Sequence, residues 1–192
     1  REVSVTKTWQ GAIQSQANVY LTRNGSRINA DPTQANHPAV PETLSATNGW
    51  AHTFVRLPVT SIDGTTDYNY GVEEVAIPGY TPQVTRTTSP SGIAGVDNLR
   101  FAIHNTQQSV DVTVQKNWSG VNVNDAPSVQ MQLIDNTDPT NPITLTGLVA
   151  TLDHTNNFTA EFNDLPKFKA DGTTRIEYSV VEVNTMPGYT FS

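Results

Sequence analysis

The sequence predicts an all-β protein made of two tandem β-sandwiches, and three observations carry that prediction. The first is self-similarity. Asp63-Gly64-Thr65-Thr66 returns as Asp171-Gly172-Thr173-Thr174, and four further correspondences keep the same order at an offset of 108 or 109. Lys7-x-Trp9 matches Lys116-x-Trp118, and Trp50-x-x-x-Phe54-x-x-Leu57-Pro58 matches Phe158-x-x-x-Phe162-x-x-Leu165-Pro166. Tyr70-x-Val72-x-Glu74 matches Tyr178-x-Val180-x-Glu182, and Pro78-Gly79-Tyr80 matches Pro187-Gly188-Tyr189. A fixed internal period marks a duplicated structural unit, which divides the chain into domains at 1–108 and 109–192. The second observation is period-two alternation between frequent Gly, Pro, Asn and Asp, the mark of short strands joined by turns. The third is the lack of an amphipathic pattern long enough for a capped helix.

Within the first copy the alternation places strands at 3–9, 18–22, 52–57, 67–74 and 99–105. Asp63-Gly64, Asp171-Gly172 and the two Pro-Gly pairs are turn dipeptides. Short strands at this spacing in about 100 residues suit a sandwich. Residues 29–42, rich in Pro, Asn and Ala, read as a long surface loop whose counterpart in the second copy, 135–142, is shorter. Trp50, Phe54, Phe158 and Phe162 read as fillers of the two cores.

Composition narrows the function. The 192 residues carry 11 Lys+Arg against 18 Asp+Glu, a net charge of -7, which leaves no basic surface for nucleic acid. No apolar run reaches the length of a membrane span. The absence of cysteine excludes disulfides, thiolate metal sites and a Cys nucleophile. The start at Arg1-Glu2-Val3 reads as a mature fragment or an excised piece, with neither an initiator Met nor a signal peptide. His37, His52, His104 and His154 have no ligand spacing, and Asp135-Asn136-Thr137-Asp138 reads as a turn in preference to a calcium loop. We therefore expect neither metal nor cofactor. No Gly-x-Ser-x-Gly nucleophile elbow is present.

Three polar residues fall within apolar rows. Lys7 shares a face with Val3, Val5 and Trp9; Glu74 continues Tyr68, Tyr70 and Val72; Asn105 continues Leu99, Phe101 and Ile103. Glu73 points the other way. A single lysine at a strand end ordinarily snorkels to water. The recurrence of the first two cases as Lys116 and Glu182 argues for burial instead. Burial favours the neutral form of both groups. A neutral amine beside a carboxylic acid and a carboxamide is a reactive set: Lys7 can attack the side-chain carbonyl of Asn105 while Glu74 shuttles protons to departing ammonia. Apolar neighbours would hold back water and its competing hydrolysis.

On these residues the chain resembles the CnaB-type (collagen-adhesin B-type) domains of Gram-positive surface proteins and pilins. The motifs are Lys7-x-Trp9, Leu57-Pro58, Tyr70-x-Val72-x-Glu74, Pro78-Gly79-Tyr80 and Phe101-x-Ile103-x-Asn105. The resemblance implies a sandwich of reversed immunoglobulin-like topology, with Lys7 on the first strand and Asn105 on the last as an isopeptide-bonded pair. Glu74, on a central strand, would be the catalytic acid. Lys116 and Glu182 take the same places in the second copy. Its acceptor would fall near residue 214, past Ser192, so we expect the second sandwich to lack its last strand and to form no internal bond. The implied function is a stalk or backbone module of an extracellular, cell-wall-anchored adhesin or pilin, with one self-modifying turnover and no enzymatic activity. Its partners would be neighbouring domains of the same protein. The rival readings are a module that binds host protein or glycan through residues 29–42, and a split domain whose Lys116 bonds a β-strand supplied in trans.

Overall fold

A computed structural model describes residues 1–29, 38–184 and 187–189. The chain divides into two compact units, Arg1–Gln107 and Gln108–Ser192.

Unit 1 contains β1 (Val3–Gln10), β2 (Gln16–Arg23), β3 (Ser26–Ile28), β4 (Glu42–Ser45), β5 (Ala51–Phe54), β6 (Tyr70–Glu74), β7 (Tyr80–Ile93) and β8 (Val96–Gln107). One sheet has the order β5-β1-β8-β7. In the other, β2 pairs β3 and β4 over successive stretches and β6 antiparallel. The first and last strands, β1 and β8, lie side by side and parallel, with Val3 opposite Leu99, Lys7 opposite Ile103 and Trp9 opposite Asn105. Alternation then does what period two requires. Val3, Val5, Leu99, Phe101 and Ile103 from this sheet meet Val19, Leu21, Leu44 and Tyr70 from the other in one buried core.

Unit 2 contains β9 (Ser109–Gln115), β10 (Val129–Asp135), β11 (Ile143–Leu152), β12 (Thr159–Pro166) and β13 (Tyr178–Glu182). Its sheets are β12-β9 and β11-β10-β13, the counterparts of β5-β1 and of the β2 sheet. Val114, Val129, Met131, Leu133, Leu152, Phe158, Phe162 and Leu165 form its core. Among the described residues no strand takes the place that β8 holds beside β1.

The strand expected at 52–57 ends at Phe54, because Arg56 adopts φ 60 and breaks the extended backbone. The strand expected from 67 begins at Tyr70, after a turn closed by Asp63 and a bridge between Thr60 and Asp67. β7 has no sequence-based counterpart. Residues 30–37, including His37 and most of the expected contact loop, lie outside the described residues. Asp135 ends β10 and accepts from the Thr137 amide at 2.9 Å, the turn expected there.

Candidate functional site

The two sheets of unit 1 bring Lys7, Glu74 and Asn105 to one end of the core. Lys7 and Asn105 are diagonal neighbours on the inner face of the β1–β8 pair, and Glu74 reaches across from β6. Lys7 Nζ lies 2.9 Å from Glu74 Oε1, with side-chain exposures of 0% and 3%. Asn105 is 0% exposed. Among the described residues, the buried side-chain polar atoms without a hydrogen-bond partner are Lys7 Nζ, both Glu74 carboxylate oxygens, both Asn105 amide atoms and the indole nitrogens of Trp9 and Trp118. Lys7 and Glu74 are thus at ion-pair distance without hydrogen-bond alignment. A buried polar atom left unbonded is costly, and folded proteins rarely tolerate one without a compensating role. Five of them at one point constitute the most unusual feature of unit 1. Burial pushes the Lys7 amine below its ordinary range, and the charge of the nearby Glu74 carboxylate opposes that shift only in part.

An aromatic cluster closes this end of the core. The Trp9 ring lies 4.4 Å from Lys7 Nζ. Trp50 and Tyr80 each meet Trp9 edge-on, with centroids at 5.4 and 5.3 Å. The sequence marks Pro78-Gly79-Tyr80 as a turn and a repeated motif but assigns its tyrosine no role; the same packing recurs in unit 2, where Tyr189 meets Trp118 at 5.1 Å. Two other repeated motifs explain each other. The Tyr70 hydroxyl donates to the Pro58 carbonyl at 2.9 Å, and the Tyr178 hydroxyl to that of Pro166 at 2.7 Å. That bond satisfies the phenol and fixes β6 and β13, which carry the glutamates. Glu73 lies on the outer face, bridging Arg27 at 2.6 Å.

In unit 2, Lys116 Nζ donates to Glu182 Oε2 at 3.3 Å, with side-chain exposures of 15% and 16%. The pair opens into a groove of about 870 Å³ lined by Val112, Lys116, Trp118, Val180 and Glu182. The histidines are scattered: His52 faces Glu42 at 3.8 Å and His104 bonds Thr8 at 2.8 Å.

Two β-sandwich units, each placing a lysine of its first strand against a glutamate of the facing sheet, define a tandem all-β repeat protein. The sequence profile of the Cna protein B-type domain matches residues 3–99 and 112–192, and the chain belongs to that family. Among solved structures it is similar to the two B repeat units (B1B2) of the collagen-binding protein Cna of Staphylococcus aureus. There the identity is 22% and the TM-score 0.41, over 96% of this chain and 44% of that one. The single B repeat unit (B1) of the same protein aligns at 22% identity and TM-score 0.38, over 99% of this chain and 89% of that one. The shaft pilin SpaA of Lactobacillus rhamnosus GG aligns at 17% identity and TM-score 0.33, over 98% and 89%. The chain spans less than half of the two-repeat structure. No protein of curated function matches it.

Proposed function

We propose that this chain is a structural module of an extracellular surface adhesin or pilin, and that unit 1 closes an isopeptide bond between Lys7 and Asn105. The observation that carries the reading is a fully buried Lys7–Glu74 ion pair at one end of the core, beside a fully buried Asn105 whose two amide atoms have no hydrogen-bond partner. A covalent bond accounts for them where a hydrogen-bond network does not.

The chemistry balances within the site. One proton transfer across the 2.9 Å contact turns the Lys7–Glu74 ion pair into an amine and a carboxylic acid. Burial, which pushes the Lys7 amine below its ordinary range, favours loss of that proton from the lysine. The amine nitrogen attacks Asn105 Cγ while the Glu74 carboxyl hydrogen-bonds to Oδ1, stabilising the developing oxyanion. Glu74 then takes a proton from the attacking nitrogen and gives one to Nδ2. The Cγ–Nδ2 bond breaks, ammonia departs and the carboxyl ends as it began. The new N–C bond joins the first and last strands, so a load applied to both ends of the unit passes through it without peeling β1 from β8. The turnover is single, and the chain is no enzyme in the ordinary sense.

The test is the intact mass of the denatured chain, where the bond removes about 17 Da, the mass of one ammonia. An Asn-Gly succinimide gives the same deficit but hydrolyses in mild alkali, whereas an isopeptide persists. A full unmodified mass refutes the reading.

A second reading is favoured in unit 2. The groove beside β9 presents Lys116 and Glu182 where β8 lies in unit 1, and Val112 and Tyr178 are only partly buried, whereas their counterparts Val3 and Tyr70 are buried. Among the described residues β9 pairs with β12 alone, and a strand edge of that kind above an apolar row suits strand addition. On this reading a strand with the chemistry of β8 seats parallel to β9 and bonds Lys116. Incubation with a synthetic peptide of residues 96–107 should give an adduct that survives boiling and is lost in Lys116→Arg. No adduct refutes it without touching the unit 1 bond.

A further inference from the structure

A backbone anomaly occurs at the same point of both repeats. Trp50 has φ 58 and Phe158 has φ 52, in the left-handed region that bulky side chains avoid. Each follows a residue that is itself left-handed, Gly49 at φ 65 and Asn157 at φ 54. Each also follows a short 3-10 turn, Ala46–Asn48 or His154–Asn156. Two left-handed residues in succession reverse the chain abruptly and bring it back as β5 or β12. Strain of this kind persists only where its surroundings hold it, and it gathers at functional sites.

Both backbone groups of the strained residue are held. The Trp50 amide donates to the Ser45 carbonyl at 2.8 Å, and its carbonyl accepts from the amide of Lys7 at 2.8 Å. In unit 2 the Phe158 amide donates to Asp153 at 2.8 Å, and its carbonyl accepts from the amide of Lys116 at 2.9 Å. The side chains repeat the pattern. Trp50 meets Trp9 at 5.4 Å and 76°, and Phe158 meets Trp118 at 5.8 Å and 74°. Those tryptophans in turn lie beneath the lysine nitrogens, at 4.4 Å in unit 1 and 5.0 Å in unit 2.

We propose that Trp50 is a positioning residue for the Lys7–Asn105 bond, gripping the lysine through its backbone amide and through the indole on which its amine rests; Phe158 does the same for Lys116. The inference deepens the bond-forming reading of unit 1 and depends on it. The left-handed conformation is what lets one residue aim its carbonyl at the β1 backbone and its ring at Trp9 together. With the backbone amide and the Trp9 ring both fixed, the flexible lysine stem has few ways to place its amine except toward Glu74 and Asn105. Holding reacting groups in contact geometry accounts for large rate factors, and a misplacement of about 1 Å can cost a hundredfold.

The test follows the 17 Da loss over time in chain made by cell-free synthesis and quenched in denaturing acid. Trp50→Phe should bond within about twofold of the wild-type rate, since a phenylalanine fills this place in unit 2. Trp50→Gly and Trp50→Asn accept the left-handed backbone but have no ring, and each should slow bonding by about tenfold or more. Asn guards against a glycine variant that fails to fold. Leu44→Ala, in the core at β4 and outside the site, supplies a destabilised reference that should bond near the wild-type rate. Wild-type speed in the ringless variants overturns the proposal. So does an equal slowing in Leu44→Ala, which would make the effect one of general stability. A wild-type chain that never loses 17 Da refutes the underlying reading instead.

Discussion

Asn105→Ala removes the acceptor and so isolates what the cross-link contributes. The bond would join residues 98 positions apart in the sequence. Treated as a loop closure in the unfolded chain, a link of this span stabilises by about 4–5 kcal/mol. Local losses are small beside that. The substituted amide is buried and makes no hydrogen bond, so its removal forfeits none, and only a small void remains. For a unit of this size 1 kcal/mol corresponds to roughly 4–5 °C, so the melting transition of unit 1 should fall by about 20 °C. Differential scanning calorimetry reads this directly, and the transition of unit 2 should stay in place. Glu74→Gln abolishes the same bond, so the double variant should lose far less than the two single losses added together. A fall of only a few degrees in Asn105→Ala, or additive losses in the double variant, would refute loop closure as the source of stability.

Three further outcomes follow from the same geometry. Glu74→Gln should eliminate the 17 Da loss, while Glu73→Gln, altering only the exposed pair with Arg27, should retain it on the same intact-mass measurement. Asn105→Asp should still bond, releasing water in place of ammonia and so losing about 18 Da. In Asn105→Ala the Lys7 amine persists, and burial holds it below the ordinary 10.5. Between that lowered value and 10.5 the unfolded chain binds the extra proton, so stability should rise with pH across the window and be lowest beneath it. Denaturant titrations over pH should show this rise in the variant, while the bonded chain, having no free amine at Lys7, should lack it.

Much of the site was legible because two independent patterns coincided. Lys7, Glu74 and Asn105 interrupt apolar rows, and a sheet turns such an interruption into a buried polar group. Duplication then separated Lys7 and Glu74 from accidents of sequence. Where either pattern failed, so did the reading. β7 is largely exposed along its 14 residues, so no face selects apolar side chains, and Pro82 and Pro90 speak against a strand. It tolerates both prolines as an edge strand, pairing among the described residues with β8 alone. β3 has three residues, too few to show a period. Trp50 was legible as an aromatic of the core but not as a left-handed one, because its conformation is fixed by distant partners, Lys7 and Trp9. The shortened strand before Arg56 has a similar origin, since a positive φ at arginine leaves no trace in propensity.

The central claim is the covalent link between β1 and β8, and the most direct measurement is tandem mass spectrometry of the denatured, protease-digested chain. The account predicts a branched peptide in which the side chain of Lys7 is joined to that of Asn105, about 17 Da lighter than its two parts combined. It also predicts that this species is absent from Glu74→Gln. Recovery of the Lys7 and Asn105 peptides as separate, unmodified species would contradict it.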